Sequence, residues 1–594
     1  MQPTIEILER IRKNSQNNRN EVFTRLYRYM LRPDLYFIAY NNLYANSGAS
    51  TKGVNDDTAD GFSEEKVGRI IEMLANESYS PTPVRRTYIK KPNGKMRPLG
   101  IPTFTDKLIQ EVLRMIMEAV YEPVFLDCSH GFRPNRSCHT ALGGMKRGFN
   151  GIRWFVEGDI KGCFDNINHN ALTGFIRNKI ADARLIKLIY KFLGAGYLED
   201  WKYHNTYSGT PQGGIISPLL ANIYLHELDE FVEKLKEEFE QPRKTHTTYE
   251  YGVQWRKVQK LRKKLKIAEG NEKTLLLEEL KAERKELLKI PYKSQTDKTL
   301  KYVRYADDFL IGINGNKEDC IAIKEKLSNF VANTLKMELS DEKTLITHSN
   351  TSARFLGYDV RVRRNNEVRS HGSGYTQRSL SNTLELTVPL DEKIKKFLLE
   401  KGIARQINGE LKPWCRNVMI TQTDFEIVTS FNAELRGICN YYSLASNFNK
   451  LHYFAYLMEY SCLKTLAGKH RSSIGKIKTM FKDEKGGWCV PYETSRGKKN
   501  LYFADFRQCK GNKHVADNMP RTWVINQNAR TTFDSRLKAK RCELCGSETA
   551  ERYEIHHVNK VKNLKGKSEW EKYMIAKKRK TMVVCYDCHR EIHK

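Results

Sequence analysis

Leu300–Ile313 reads LKYVRYADDFLIGI. Two adjacent carboxylates, Asp307 and Asp308, interrupt an otherwise apolar run. Burying ionised carboxylates without partners costs several kcal/mol each, so either water at a turn or a bound cation must compensate. The pattern fits two short strands that meet near Ala306-Asp307, where a tight turn exposes the acids. Neighbouring side chains on a strand point to opposite faces. The two aspartates therefore do not face one partner equally, and one is expected to be the main ligand and the other peripheral.

A third acid lies far upstream. Asp159 ends the apolar strand in WFVEGDIKGCFDNI, Trp154–Ile167. If the two strands are neighbours, Asp159 and Asp307 converge. Like charges in one site raise a pKa, and a divalent cation removes the conflict. Magnesium suits one or two carboxylates plus substrate phosphates. Two such ions can activate a 3′-hydroxyl and stabilise a leaving pyrophosphate.

The rest of the chain favours a polyanionic partner. It has 594 residues, 40% of them apolar, and a formal charge of +31. At roughly 100–200 residues per domain this allows about three to five domains, and so large a basic excess attracts nucleic acid. The 13 cysteines are scattered and odd in number, which argues against a disulfide framework and for a reducing compartment. No run approaches the ~18–20 apolar residues of a membrane span. The opening MQPTIEILERIRKNSQNN carries Glu6 and Glu9 and lacks a signal-peptide core. A soluble cytoplasmic protein without membrane partners is expected.

Residues 1–75 look helical and amphipathic, with a loop at NSGASTKG. VRRTYIKK and MRPLGI flank PNGK, a hairpin with Asn93-Gly94 at its tip. Residues 105–122 form a helix, apolar at Leu108, Ile109, Val112, Leu113, Ile116 and Met117. IRWFVEGDI is a strand and PLLANIYLHELDEFVEKL a helix, so the middle of the chain is α+β. Residues 229–300, dense in Lys and Glu, place Leu261, Leu265, Leu276, Leu280 and Leu287 at near-helical spacing. They read as an inserted helical hairpin, broken at Gly270-Asn271 with Asn271 as cap, that is either a solvated spacer or an RNA contact. Residues 380–480 are helical and aromatic-rich. Residues 481–540 are irregular and basic, and 541–594 form a compact Cys/His module.

YADD resembles the reverse-transcriptase signature. GDIKGCFDNI, SGTPQGGIISPLLANIYL, MELSDEKTLITHS and ARFLGYDV follow in the order of that family. SHGFRPNRSCHTAL resembles a narrower group, the group II intron-encoded reverse transcriptase–maturases. RGICNYYSLASNF and EIHHVNKVKNLKGK resemble its IIA, LtrA-like branch. The resemblance implies that Asp159 and Asp307 are the principal magnesium ligands, with Asp308 assisting. It implies that Phe164 blocks a 2′-hydroxyl, Lys95 and Arg97 grip the dNTP triphosphate, Gln212 approaches the incoming nucleotide and template, and Lys343 serves the pyrophosphate. Residues 380–480 then match the thumb and maturase X domain. There Tyr441, Tyr442, Arg436 and Lys464 either stack on RNA bases and meet phosphates or, for the tyrosines, pack a core.

In the terminal module, CELC and CYDC supply Cys542, Cys545, Cys585 and Cys588, two C-x2-C pairs that suit a structural Zn²⁺. Zinc would provide much of the folding free energy of so small a segment. His589 and His593 are four apart and share one helix face. His556 and His557 are adjacent on the strand YEIHHV and point oppositely. This resembles the HNH nuclease motif. By that match His556, His589 and His593 hold the catalytic cation, expected to be Mg²⁺, and His557 activates water. The family's middle Asn has no counterpart in register, and Asn563 is a nearby candidate only.

The expected architecture is multidomain α+β. Right-hand fingers and palm span 1–375, an α-helical thumb and maturase domain 376–480, a basic DNA-binding segment 481–540, and a small zinc-stabilised ββα-metal (HNH) domain 541–594. The resemblance implies an RNA-directed DNA polymerase that aids splicing of its intron RNA and nicks double-stranded target DNA to prime synthesis. It also implies a bacterial protein, nucleoid-associated when on DNA, and a homodimer. The alternative is a splicing-only maturase with vestigial catalysis. The intact Asp and Cys/His sets favour the first reading.

Overall fold

A computed structural model describes residues 4–594 apart from 91–93, 95, 200–201, 205–208, 210–212, 241–244, 291, 296–297, 366, 371, 373–375, 379–381, 484–485, 495–496 and 511–532. Lys95, Gln212 and most of the PNGK turn therefore lie outside the described residues. Among those described, no helix is long and apolar enough to cross a membrane.

The YADD segment forms the expected hairpin. Thr299–Tyr305 and Asp308–Asn314 pair antiparallel, Tyr305 opposite Asp308, with Ala306-Asp307 as the turn. Trp154–Asp159 pairs with the second strand and Ile346–His348 closes the other edge, giving one four-stranded antiparallel sheet. Side chains alternate across it. Val156, Phe309 and Ile311 join the core of the N-terminal helices, whereas Phe155 and Leu310 join the core shared with the thumb. Gly158 sits opposite Phe309, and a Cβ there would fall 2.0 Å from the Phe309 ring. Helices Phe104–Tyr121 and Ser217–Phe239 cover the first face, the former capped by Thr103 through the Asp106 N–H. The finger strands Val84–Lys90 and Met96–Ile101 pair as predicted.

Four sequence expectations change. The helical insertion is shorter than 229–300, because Ser217–Phe239 is one helix whose Asp229, Val232 and Leu235 are buried. The hairpin proper is Tyr249–Leu265 and Gly270–Lys289, with a small core of Val258, Leu261 and Leu280 flanked by Leu265, Leu276 and Leu287. Its second helix starts at Gly270, so Asn271 lies inside the first turn and does not cap it. Residues 380–480 are not purely helical. Thr383–Thr387 pairs with Tyr358–Arg363, so one sheet straddles the expected boundary at 375/376, and Ala404–Ile407 pairs with Glu410–Pro413. Residues 481–540 contain a regular hairpin, Cys489–Thr494 with Gly497–Tyr502, docked through Asn432, whose side chain bonds Tyr502 O and the Ala504 N–H at 2.8 Å each. Exposed lysines hide the period-two pattern there.

The alternative at Tyr441 and Tyr442 resolves towards packing. Their hydroxyls donate to Leu356 O (2.6 Å) and Gly357 O (3.2 Å), pinning the thumb to the FLGY turn of the palm. Arg436 is exposed, and Lys464 donates to Pro413 O at 2.9 Å.

Beneath the aspartate turn lies a network that sequence reading missed. Arg304 and Asp229 have no exposed side-chain surface and pair through two contacts of 2.6 and 2.7 Å. Arg304 also donates to Ala306 O (2.8 Å), Asn222 Oδ1 (3.2 Å) and Ser129 Oγ (2.8 Å), and Tyr302 donates to Asp229 (2.9 Å). Asn222 in turn donates to Gly131 O at 2.8 Å. The segment Cys128–Gly131 runs alongside Arg304, and a Cβ on Gly131 would lie 2.4 Å from Ala306 N. Removing one partner of a buried pair strands the other charge. Arg304→Leu is therefore expected to destabilise the palm by about 3–5 kcal/mol. Calorimetry of the full chain should show its transition lowered, with much of the loss recovered by adding Asp229→Leu.

Candidate active sites

Three acids meet at one end of the palm sheet. Asp159 closes its strand, Asp308 is its direct register partner, and Asp307 occupies the turn beside them. The left-handed Ala306 (φ 56°) sets this turn, a conformation that costs a non-glycine residue about 1–2 kcal/mol. Burial raises the Asp307 carboxyl, and the Asp159 charge adds to it, while Arg97 and Lys343 act in the opposite sense. The Asp308 side chain reaches solvent, yet desolvation by its neighbours, together with the Asp307 and Asp159 charges, pushes it up to about 7. The sequence ranked Asp308 as peripheral, yet the register places it directly opposite Asp159. A carboxylate cluster with so high a proton affinity fits a divalent cation, which relieves the same repulsion.

Basic and aromatic groups surround the acids. Lys343 Nζ lies 2.8 Å from Asp159 Oδ2, and this bond raises its pKa. Arg97 sits on the returning finger strand. Phe164 belongs to the short helix Cys163–Asn166 and is half-buried, edge-on to Phe132 at 6.3 Å. Phe132 is 51% exposed with φ 56° and was not singled out from sequence. The glycines of the PQGG region serve close approach. A Cβ on Gly209 would lie 2.9 Å from Phe164 O, and one on Gly213 (φ 113°) 2.4 Å from Gly100 O. Fingers, Phe164 turn and this loop thus converge.

The C-terminal module holds two further clusters. The ligand atoms of Cys542, Cys545, Cys585 and Cys588 all lie within 4.8 Å of one another. Burial opposes ionisation of Cys542, but backbone N–H groups, Cys545 first, outweigh it and bring the thiol down to about 7. That chemistry fits a thiolate-bound metal.

The second cluster rests on strand Tyr553–His557, its antiparallel partner Thr581–Cys585, and helix Tyr586–Ile592. It brings the ligand atoms of His556, His589 and His593 within 4.8 Å of one another and of Asp60, which sequence reading had not singled out. His556 is 3% exposed, its Nδ1 lies 3.2 Å from Asp60 Oδ1, and among the described residues its Nε2 has no hydrogen-bond partner, a donor set that fits a cation. Buried Glu554 accepts from His589 Nδ1 and so turns Nε2 towards the cluster. Burial disfavours the His589 imidazolium, yet Asp60 and Glu554 prevail and hold its pKa near 9. His557 points away, as strand alternation requires. Its Nε2 lies 2.9 Å from Tyr44 O, and burial lowers its pKa. Asn563 is exposed in a short turn, outside the cluster. Asp60 and Glu554 escaped sequence reading. Glu554 had a signal, since it lies two residues from His556 on the same strand face, whereas Asp60 had no local one.

Comparison with known proteins accords with this geometry. The reverse transcriptase (RNA-dependent DNA polymerase) family model matches residues 89–250 and 279–360, skipping the core of the helical hairpin. The type II intron maturase model matches 381–514, and the AI2M/AI1M-like HNH endonuclease model matches 542–589. Group II intron-encoded protein LtrA of Lactococcus lactis subsp. cremoris is 60% identical over 100% of both chains. The 91 kDa protein in the cob intron of Schizosaccharomyces pombe is 36% identical over 99% of this chain and 72% of its own. A putative COX1/OXI3 intron 1 protein of Saccharomyces cerevisiae is 32% identical over 98% and 70%. The chain belongs to the group II intron-encoded proteins, enzymes that unite a reverse transcriptase, an intron maturase and an HNH endonuclease in one polypeptide.

Proposed function

We propose that the chain copies an intron RNA into DNA at Asp159, Asp307 and Asp308, assists splicing of that RNA, and nicks target DNA so that the new 3′ end primes the copy. The observation that carries this reading is the register pairing of Asp159 with Asp308, with Asp307 in the adjoining turn and the Arg97 charge of the finger strand acting on it. Asp159, Asp307 and Asp308 hold magnesium, and Lys95 and Arg97 grip the dNTP triphosphate as point charge and planar fork. The Phe164 ring excludes a 2′-hydroxyl, and Gln212 orients nucleotide and template. Lys343 is released from Asp159 to meet the pyrophosphate. Magnesium, when bound, supplies charge stabilisation on the attacking and leaving oxygens.

For the nuclease, His556, His589 and His593 hold a divalent cation, which polarises the scissile phosphate when bound. His557 takes a proton from the attacking water, and its lowered pKa keeps it in the neutral, basic form near pH 7. Zinc on the four cysteines fixes the module. The names of the relatives link this architecture to introns, and the +31 charge suits RNA and DNA partners.

Asp307→Ala with Asp308→Ala is expected to abolish primed DNA synthesis while leaving RNA binding at wild-type strength, checked by primer extension and filter binding. Undiminished extension would contradict the metal assignment. A raised carboxyl pKa disfavours the ionised form, so without a cation Asp308 takes up a proton as pH falls through about 7. That proton would have to leave before the carboxylate could hold magnesium. The Mg²⁺ concentration for half-maximal extension is expected to rise about tenfold from pH 8 to pH 6.

A further inference from the structure

The nuclease motif is docked on the N-terminal part of the chain. Gly61 N–H donates to Ile555 O (3.0 Å) and Ile555 N–H to Phe62 O (2.9 Å), so a loop pairs with the motif strand. Phe62 is fully buried and stacks on Tyr40 at 4.1 Å. Glu65–Arg552 (3.1 Å) and Ala45 O–Lys580 Nζ (3.1 Å) flank the contact.

This pairing delivers Asp60 into the histidines. Its Oδ1 lies 3.2 Å from His556 Nδ1, and its Oδ2 lies 3.2 Å from His589 Nε2 and 2.7 Å from His593 Nε2. Asp60 also accepts the His557 N–H at 2.7 Å. His556, nearly wholly buried, belongs to the same cluster, and among the described residues its Nε2 has no hydrogen-bond partner. The N-terminal segment covers His557 as well, with Tyr44 O 2.9 Å from one ring nitrogen and Ser50 Oγ 3.5 Å from the other.

A cation that acts on a phosphodiester keeps one position open for its substrate. A carboxylate offers the same anionic oxygens as a phosphate. We propose that Asp60 is an interdomain ligand that closes the nuclease site: it completes a three-histidine, one-carboxylate cation site in the docked chain and takes the position a DNA phosphate needs. Nicking then requires the C-terminal module and the Asp60 loop to separate. The inference rests on the nuclease reading above, and the test keeps the two apart.

The full chain is titrated with Mn²⁺ in an Asp307→Ala, Asp308→Ala background, which removes the polymerase site. Affinity is read by paramagnetic resonance, bound water by proton relaxation, and nicking on supercoiled plasmid without RNA. Asp60→Ala and Asp60→Asn should each weaken Mn²⁺ binding at least about tenfold, since even outer-shell partners carry that much. Both should add bound water and speed plasmid nicking, and hydrogen exchange at Gly61 and Ile555 should quicken. Unchanged Mn²⁺ affinity and hydration in both variants would overturn the ligand role. Weaker binding with slower nicking would overturn the closure. If His556→Ala and His593→Ala also leave Mn²⁺ binding unchanged, the nuclease cation assignment itself fails.

Discussion

A guanidinium sealed from water holds the polymerase turn in place. Arg304 ties Asp229 of a long core helix to Ala306 O in the turn and to Ser129 in the preceding segment. A buried ion pair is weak evidence for stability in itself, because desolvation offsets the attraction. Its value here is position. Five donor groups in a rigid fork fix the turn relative to the helix, and the turn in turn fixes Asp307 and Asp308 against Asp159. Three carboxylates that repel one another stay together because the backbone beneath them cannot relax.

The same core supports both catalytic centres. Phe62, Phe104 and Val156 of the reverse-transcriptase half share one apolar cluster with Phe533, Ile555 and Val583 of the C-terminal half. The thumb instead builds its own cluster on the opposite face of the palm sheet, through Phe155 and Leu310. The sheet therefore separates the maturase region from the side on which the C-terminal module rests. Distant stretches of sequence lie side by side, and the N-terminal loop touches the histidines of strand Tyr553–His557 and of the terminal helix.

Much of this was legible because the signals were local. Alternation around Asp307, the strand ending at Asp159, the i, i+4 histidines and the paired C-x2-C motifs each carry geometry within a few residues. The leucines of the inserted hairpin behaved as their spacing required. What was hidden depended on tertiary contact. Thr383–Thr387 is a strand because Tyr358–Arg363 offers it an edge, and Asn271 lost its capping role because the helix already begins at Gly270. The tyrosines at 441 and 442 could stack or pack, and only the FLGY turn decides. Asp60 lies in an unremarkable acidic loop, and nothing near it in sequence points to histidines at the far end of the chain.

The central claim is that Asp159, Asp307 and Asp308 act as one cation site. Anomalous diffraction from crystals of the full chain with primer–template, dNTP and Mn²⁺ tests it most directly. Manganese is expected within about 2.0–2.3 Å of carboxylate oxygens of both Asp159 and Asp307. Manganese bound to one of these residues with the other turned away, or absent from the cluster while substrate is in place, would contradict it.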